Sequence, residues 1–143
     1  MRKLVLILAL GLFATLGVSA QTKVQDLFSN AASGVKLTDT ITNAGTVTMT
    51  SSTVVGTPNQ TTVGAVFTKL TGTVAGTASL KGSFNGVDFY VASATTYTVT
   101  DLATQNTSWQ ITGSPYLYYQ VSVTGSGTST YTVKGQVLTR NPK

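Results

Sequence analysis

Side chains that could carry out chemistry are few in this 143-residue chain. The sequence contains no His, no Cys and no Glu, and its acidic residues are Asp26, Asp39, Asp88 and Asp101. General acid–base catalysis uses His or paired carboxylates, and a Ser nucleophile needs a neighbouring base. Because the four Asp residues are isolated from one another in the sequence, we expect no catalytic residues and no enzymatic activity.

Metal binding has one candidate chemistry. Zinc is excluded by the absence of His and Cys, but calcium takes oxygen ligands that Asn85 to Asp88 or Asp101 to Asn106 could supply. Asn-Gly between two extended runs is also the preferred two-residue type I′ hairpin turn, because both central positions need a positive φ. We therefore predict that Asn85 and Gly86 form a hairpin turn, and that the protein holds no metal and no other cofactor.

The aromatic residues in the segment YLYYQVSVT offer a binding chemistry instead. Tyr116 and Tyr118 have the opposite parity to Tyr119, Val121 and Val123, so they project outward if Tyr119 is in the core. An exposed tyrosine pair can stack on sugar rings or anchor a protein interface. The alternative is that both rings pack under a loop or in a second layer of the fold. Tyr116 and Tyr118 are the candidate binding residues.

The charge of the chain argues against nucleic acid as a partner. From Gln21 onward, seven Lys and Arg residues oppose four Asp residues, a net charge of 7 − 4 = +3. The positive charges occur singly, whereas a nucleic-acid footprint needs them clustered.

The elements that position these residues are predicted to be strands. Thr accounts for 27 of the 123 residues from Gln21 onward, and this β-branched residue favours extended backbone. Apolar residues alternate with polar ones along most of this region, and in one run they occupy both faces, which predicts a central strand covered on both sides (Val63, Ala65 and Phe67 on one face, Val66 and Leu70 on the other). Turn signals recur between seven to nine short strands. The predicted fold is all-β, a single antiparallel β-sandwich of the immunoglobulin-like or jelly-roll type.

The first residues read as an export signal. Arg2 and Lys3 precede the uncharged run Leu4 to Val18, whose 15 residues fall short of the roughly 20 needed to span a bilayer. Small residues then predict cleavage between Ala20 and Gln21. The predicted organisation is a signal helix over residues 1–20, an N-terminal arm over 21–34 and the β-sandwich domain over 35–143. We expect an exported protein, periplasmic, extracellular or on the cell surface, with no stable membrane insertion after cleavage.

Two long stretches carry a resemblance to a known group of proteins. LTGTVAGTASLKGSFNGVDFYV (Leu70 to Val91) and SPYLYYQVSVTGSGTSTYTVKGQVLTR (Ser114 to Arg140) resemble small secreted or virion-associated β-sandwich proteins of Bacteroidetes bacteria and their bacteriophages. The resemblance implies a capsid decoration, a tail-associated protein or a surface-displayed module, and it brings no catalytic residues with it.

These observations lead to two hypotheses about function. The first is a non-enzymatic structural or surface-interaction protein whose partners are protein surfaces, including copies of itself, with the 21–34 arm docking on a neighbouring copy. The alternative is a carbohydrate-binding or adhesion module that holds glycans with Tyr116 and Tyr118.

Overall fold

The computed structural model describes residues 22–31, 34–54, 58–113 and 115–140. All regular structure in these residues is β, which confirms the predicted all-β class. The described strands are β1 (Thr22–Ala31), β2 (Gly34–Lys36), β3 (Asp39–Thr42), β4 (Thr46–Ser51), β5 (Gln60–Thr73), β6 (Gly76–Ser83), β7 (Tyr90–Val91), β8 (Tyr97–Val99), β9 (Thr104–Thr112), β10 (Tyr118–Gly125) and β11 (Thr128–Arg140).

The strands form one continuous antiparallel sheet with the order β7-β6-β10-β4-β1-β11-β5-β9. Three short strands lie off this path: β2 pairs with β1, β3 with β11, and β8 with β6. Neighbours in the sheet are mostly distant in the sequence, so the chain crosses repeatedly between its two ends. The arrangement is a curled, jelly-roll-like sheet.

Strand β1 is where the sheet bends back on itself. Its first half, from Thr22 to Asp26, pairs with β11, and the following residues, from Leu27 to Ser29, pair with β4. We call β9, β5 and β11 the first arm of the sheet, and β4, β10 and β6 the second arm. A strand shared in this way removes the open edge that each arm would otherwise present on that side.

The core is one apolar cluster to which both arms contribute. The first arm supplies Val63, Phe67 and Trp109, and the second supplies Met49 and Leu80, all of them buried. Burial of such side chains is the main favourable term in folding, at about 25 cal/mol per Å² of apolar surface removed from water. The chain has no Cys, so this apolar cluster stabilises the fold without disulfide bonds.

The alternation predicted from the sequence holds along most strands, with threonine on the outer face. In β4, Val47 and Met49 point towards the core while Thr46 and Thr48 are exposed. The prediction for β5 is correct in one respect and wrong in the other. The strand lies between two neighbours, but its outer face is not covered, since Val66 is 42% exposed.

Residues 21–34 were expected to be an arm apart from the sandwich, but residues 22–31 form β1 at the bend of the sheet. Alternation is hidden there because β1 changes partner halfway, so that Leu27 is its only buried large apolar residue. That side chain lies over Gly135 of β11, where an added Cβ would come within 2.4 Å of Leu27 Cδ1.

The predicted signal helix over residues 1–20, with the cleavage site between Ala20 and Gln21, lies outside the described residues. In the part of the chain that is described, no helix is long and apolar enough to cross a membrane.

Candidate binding surface

The carboxylates, which were the first candidates for chemistry, are held in structural contacts. Asp101 forms an ion pair of 2.7 Å with Lys69 and accepts a hydrogen bond of 2.9 Å from the Val74 amide. Asp26 accepts a bond from Gln136, and Asp39 accepts one from Ser29. Nowhere among the described residues do three potential metal-ligating side chains gather. These three Asp side chains therefore make contacts that stabilise the fold.

The ion pair has an electrostatic consequence. The Lys69 side chain, together with the Val74 amide, holds the pKa of Asp101 below its usual value of 3.8. This carboxylate joins the end of β5 to the segment before β9, and it stays charged at neutral pH.

The connection between β6 and β7 carries the predicted Asn85-Gly86 turn, but the turn differs from the prediction. Gly86 has a φ of +77°, whereas Asn85 does not lie in the left-handed region, and the connection runs from residue 84 to residue 89. A two-residue type I′ turn is therefore wrong here. The physical reason is that side chains replace backbone pairing, because Asn85 Oδ1 accepts bonds of 2.9 Å from the amides of both Val87 and Asp88.

Ser83 completes this turn from the end of β6. Its buried hydroxyl accepts a bond of 2.9 Å from the Gly86 amide and donates one of 3.0 Å to Asn85 Oδ1. The Asn85 amide group in turn donates to Asp88 Oδ2 at 2.8 Å. These atoms include one of the two candidate sets of calcium ligands, Asn85 to Asp88, and they are hydrogen-bonded to one another inside the loop.

The rigid loop presents a cluster of aromatic rings. Phe84 lies 5.1 Å from Tyr116 and 6.3 Å from Tyr90, measured between ring centroids. Tyr116 meets the buried Tyr119 edge-on at 6.3 Å. The rings thus form a continuous path from the core to the surface, and ring pairs at such distances stabilise one another.

The two candidate tyrosines lie on opposite faces of the second arm. Gly82 pairs directly with Tyr119, so a Cβ on Gly82 would point to the core face, and it would come within 2.4 Å of the Tyr116 ring. Tyr116 therefore closes the end of the core. Tyr118 follows the alternation of β10 onto the outer face, where its hydroxyl accepts a bond of 3.0 Å from Thr53 and its ring lies against Gly86.

Tyr116 does not follow the alternation of β10 because it precedes the first residue of that strand. Alternation between faces applies only within the extended strand. Both tyrosines are half-buried.

The most exposed apolar side chains of this region lie beside the tyrosines. Phe84 is 53% exposed, Tyr90 55%, Val91 71% and Val87 78%. We call these four residues the β6–β7 patch. Sequence reasoning missed Phe84, although a large aromatic residue immediately before a turn-forming Asn-Gly was an available signal. The accessible apolar surface of this region therefore belongs to the loop next to the tyrosines and not to the predicted tyrosine pair.

Comparisons with known proteins identify the fold and no more. No protein-family model matches the sequence, and no curated protein matches it. The VP2 subviral particle protein of infectious bursal disease virus superposes with a TM-score of 0.52 at 10% identity, covering 85% of this chain and 33% of the viral one. The enzymatically active domain of tailspike protein 4 from bacteriophage CBA120 gives 0.50 at 11% identity, covering 87% of this chain and 18% of the tailspike.

A carbohydrate-binding module, CBM4, is also similar, with a TM-score of 0.49 at 14% identity, covering 85% of this chain and 79% of the module. This chain spans about a third of the viral capsid protein and less than a fifth of the tailspike protein. At identities this low, these similarities show a shared fold and nothing further.

Proposed function

We propose that this protein is a non-enzymatic structural or surface-interaction module that acts by contact with other protein surfaces, including copies of itself. The observation that carries the proposal is the β6–β7 patch, in which four large apolar side chains lie 53% to 78% exposed on one short loop and edge strand. Within it the rings of Phe84 and Tyr90 are in contact, with centroids 6.3 Å apart, and exposed apolar patches mark protein-interaction sites on soluble domains.

The composition and geometry of the patch favour a protein partner. Two of its four residues, Phe84 and Tyr90, are aromatic, and aromatic residues are enriched at protein interfaces. Their ring planes are inclined by 52°, so they do not form a single flat platform. The Ser83–Asn85 hydrogen bonds hold the loop in place, which lowers the entropic cost of binding.

The alternative function, a carbohydrate-binding module that uses Tyr116 and Tyr118, is restricted by the positions of the two rings. A glycan could not stack on Tyr116 and Tyr118 together, since these rings lie on opposite faces of the second arm. Only Tyr116, through its contact with Phe84, could take part in the same surface as the β6–β7 patch.

The setting of the module is part of the proposal. We infer a single β-sandwich in which the two arms are the two layers, exported after cleavage between Ala20 and Gln21, or carried on a virion as the Bacteroidetes phage resemblance suggests. The chain should be expressed at full length in a Gram-negative host, its N-terminal residue sequenced and its product imaged by electron microscopy. A product in the cytosol that still begins at Met1 would contradict export.

The patch is tested with a double substitution, Phe84→Ser with Tyr90→Ser, in the exported protein. The matched control is Leu70→Ser with Leu102→Ser, which alters two side chains of similar exposure, 54% and 57%, away from the patch. Light scattering should show that the wild type and the control associate and that the patch variant is monomeric. Wild-type protein that stays monomeric at about 1 mM would refute self-association through this surface.

A further inference from the structure

Gly64 occupies the centre of a grid of side chains on the outer face of the first arm. The register places Gln136 on one side of it and Ser108 on the other. Because alternate residues share a face, the neighbouring rows belong to the same surface. The eight outer-face neighbours of Gly64 are Lys134, Val66 and Asn106 in one row, Gln136 and Ser108 in its own row, and Leu138, Thr62 and Gln110 in the next.

The fold does not require glycine at this position. An added Cβ at Gly64 would meet only the Thr107 carbonyl oxygen, at an ordinary contact distance of 3.7 Å, and the residue has no positive φ. In Gly76, Gly82 and Gly135, by contrast, an added Cβ would come within 2.6 Å of another atom. Glycine weakens a strand interior, and it often marks a place where a ligand approaches the backbone closely.

A shallow depression, open to solvent, lies over Gly64 on this face of the sheet. Its volume is about 330 Å³, which is at the small end of the range for ligand sites. Residues 64–66 form the floor, Asn106 and Thr107 form one wall, and Lys134 and Gln136 form the other.

The rim of the depression combines unused hydrogen-bonding groups with an apolar surface. Within the described residues, the side-chain amide of Asn106 makes no hydrogen bond and Lys134 forms no ion pair. Gln136 is oriented by a bond of 2.9 Å from its Nε2 to Asp26, which leaves its carbonyl oxygen available. Val66, 42% exposed, supplies the apolar contact.

We propose that this depression, the Gly64 site, binds one sugar ring of a glycan chain. Amide and hydroxyl side chains both donate and accept hydrogen bonds, as sugar hydroxyls do, and the C–H face of a sugar can lie on Gly64 and Val66. Lys134 is the one cation among the residues that line the depression and favours acidic sugars, while the Asp26 carboxylate lies on the other side of Gln136, which donates a hydrogen bond to it. The site is separate from the β6–β7 patch, so this inference does not depend on the proposed function.

The test is retention of the exported protein on immobilised oligosaccharides of neutral hexoses, N-acetylhexosamines and uronic acids, followed by titration with the best-retained one. Gly64→Val fills the depression with a residue that favours strands, so this variant should fold at least as stably as the wild type. We expect it to weaken binding by at least about tenfold, because the valine side chain occupies the space that the sugar ring needs. Lys134→Gln should reduce the preference for uronic acids and leave neutral sugars unaffected.

Two controls separate this inference from the other proposals. Thr48→Val alters an exposed threonine on the outer face of the second arm and should leave retention unchanged. The Phe84→Ser, Tyr90→Ser variant should also bind normally. Retention that survives Gly64→Val and is lost in the patch variant would move the glycan to the β6–β7 patch, and no retention of any of the three oligosaccharide classes would remove the sugar site altogether.

Discussion

The hydroxyl of Tyr131 is an unusual polar group for the centre of a core. The side chain is fully buried, and its oxygen has no hydrogen-bond partner among the described residues. An unsatisfied buried polar group costs about 1–3 kcal/mol. We expect Tyr131→Phe to raise the free energy of unfolding by about 1 kcal/mol at pH 7, measured by denaturant titration. A loss of stability would mean that the hydroxyl does bond within the fold.

The same residue predicts a dependence on alkaline pH. Burial raises the pKa of Tyr131 above its usual value of 10.0, so the folded state favours the neutral phenol. The contribution of the neutral Tyr131 phenol to the free energy of unfolding is fully present below pH 10, and it is lost as the pH rises through the folded-state pKa. The advantage of Tyr131→Phe should therefore grow above pH 10, and Tyr119→Phe, at another fully buried tyrosine, is the comparison.

Two strand glycines predict opposite effects of the same substitution. Gly82→Ala would drive a methyl group into the Tyr116 ring and should destabilise the fold by about 1–3 kcal/mol. Gly64→Ala meets no obstacle and should stabilise it by about 0.4–1 kcal/mol, because alanine restricts the unfolded chain. Thermal unfolding of both variants gives the comparison. Equal effects would contradict the packing described at Gly82.

Among the connections between strands, the segment before β9 is tied down by Asp101. Since its pKa is lowered in the folded state, the stabilisation is present above pH 3.8 and is lost as the pH falls through the folded-state value. Asp101→Asn should lower the melting temperature at pH 7, and the difference from the wild type should shrink as the pH falls below 3.8. Asp88→Asn, which alters an exposed acid of the β6–β7 loop, serves as the control.

Strand β1 shows why alternation alone could not identify every element. Its residues change neighbours between Asp26 and Leu27, so no single face is buried along its length. Strands with uninterrupted alternation, such as β4 and β10, were correctly predicted because each keeps one face on the core throughout.

For the whole molecule, β1 predicts that the two arms unfold together. Deleting residues 22–31 removes the shared strand and the Leu27 side chain that packs on Gly135. We expect the truncated protein to be unfolded or aggregated by circular dichroism and light scattering, since the loss of a buried leucine alone costs about 2–5 kcal/mol. A folded, soluble monomer would instead support a separate docking arm.

The sequence by itself determined the all-β class and the threonine-rich outer faces, because these follow from residue type and from a period of two. Only the tertiary structure decided which surfaces are accessible. Tyr116 is not on the outer face with Tyr118 because it lies before the first residue of β10, and Phe84 is exposed at the start of the loop that Ser83 and Asn85 stabilise. The depression at Gly64 depends on the register of three strands that are far apart in the chain, and no local pattern records that register.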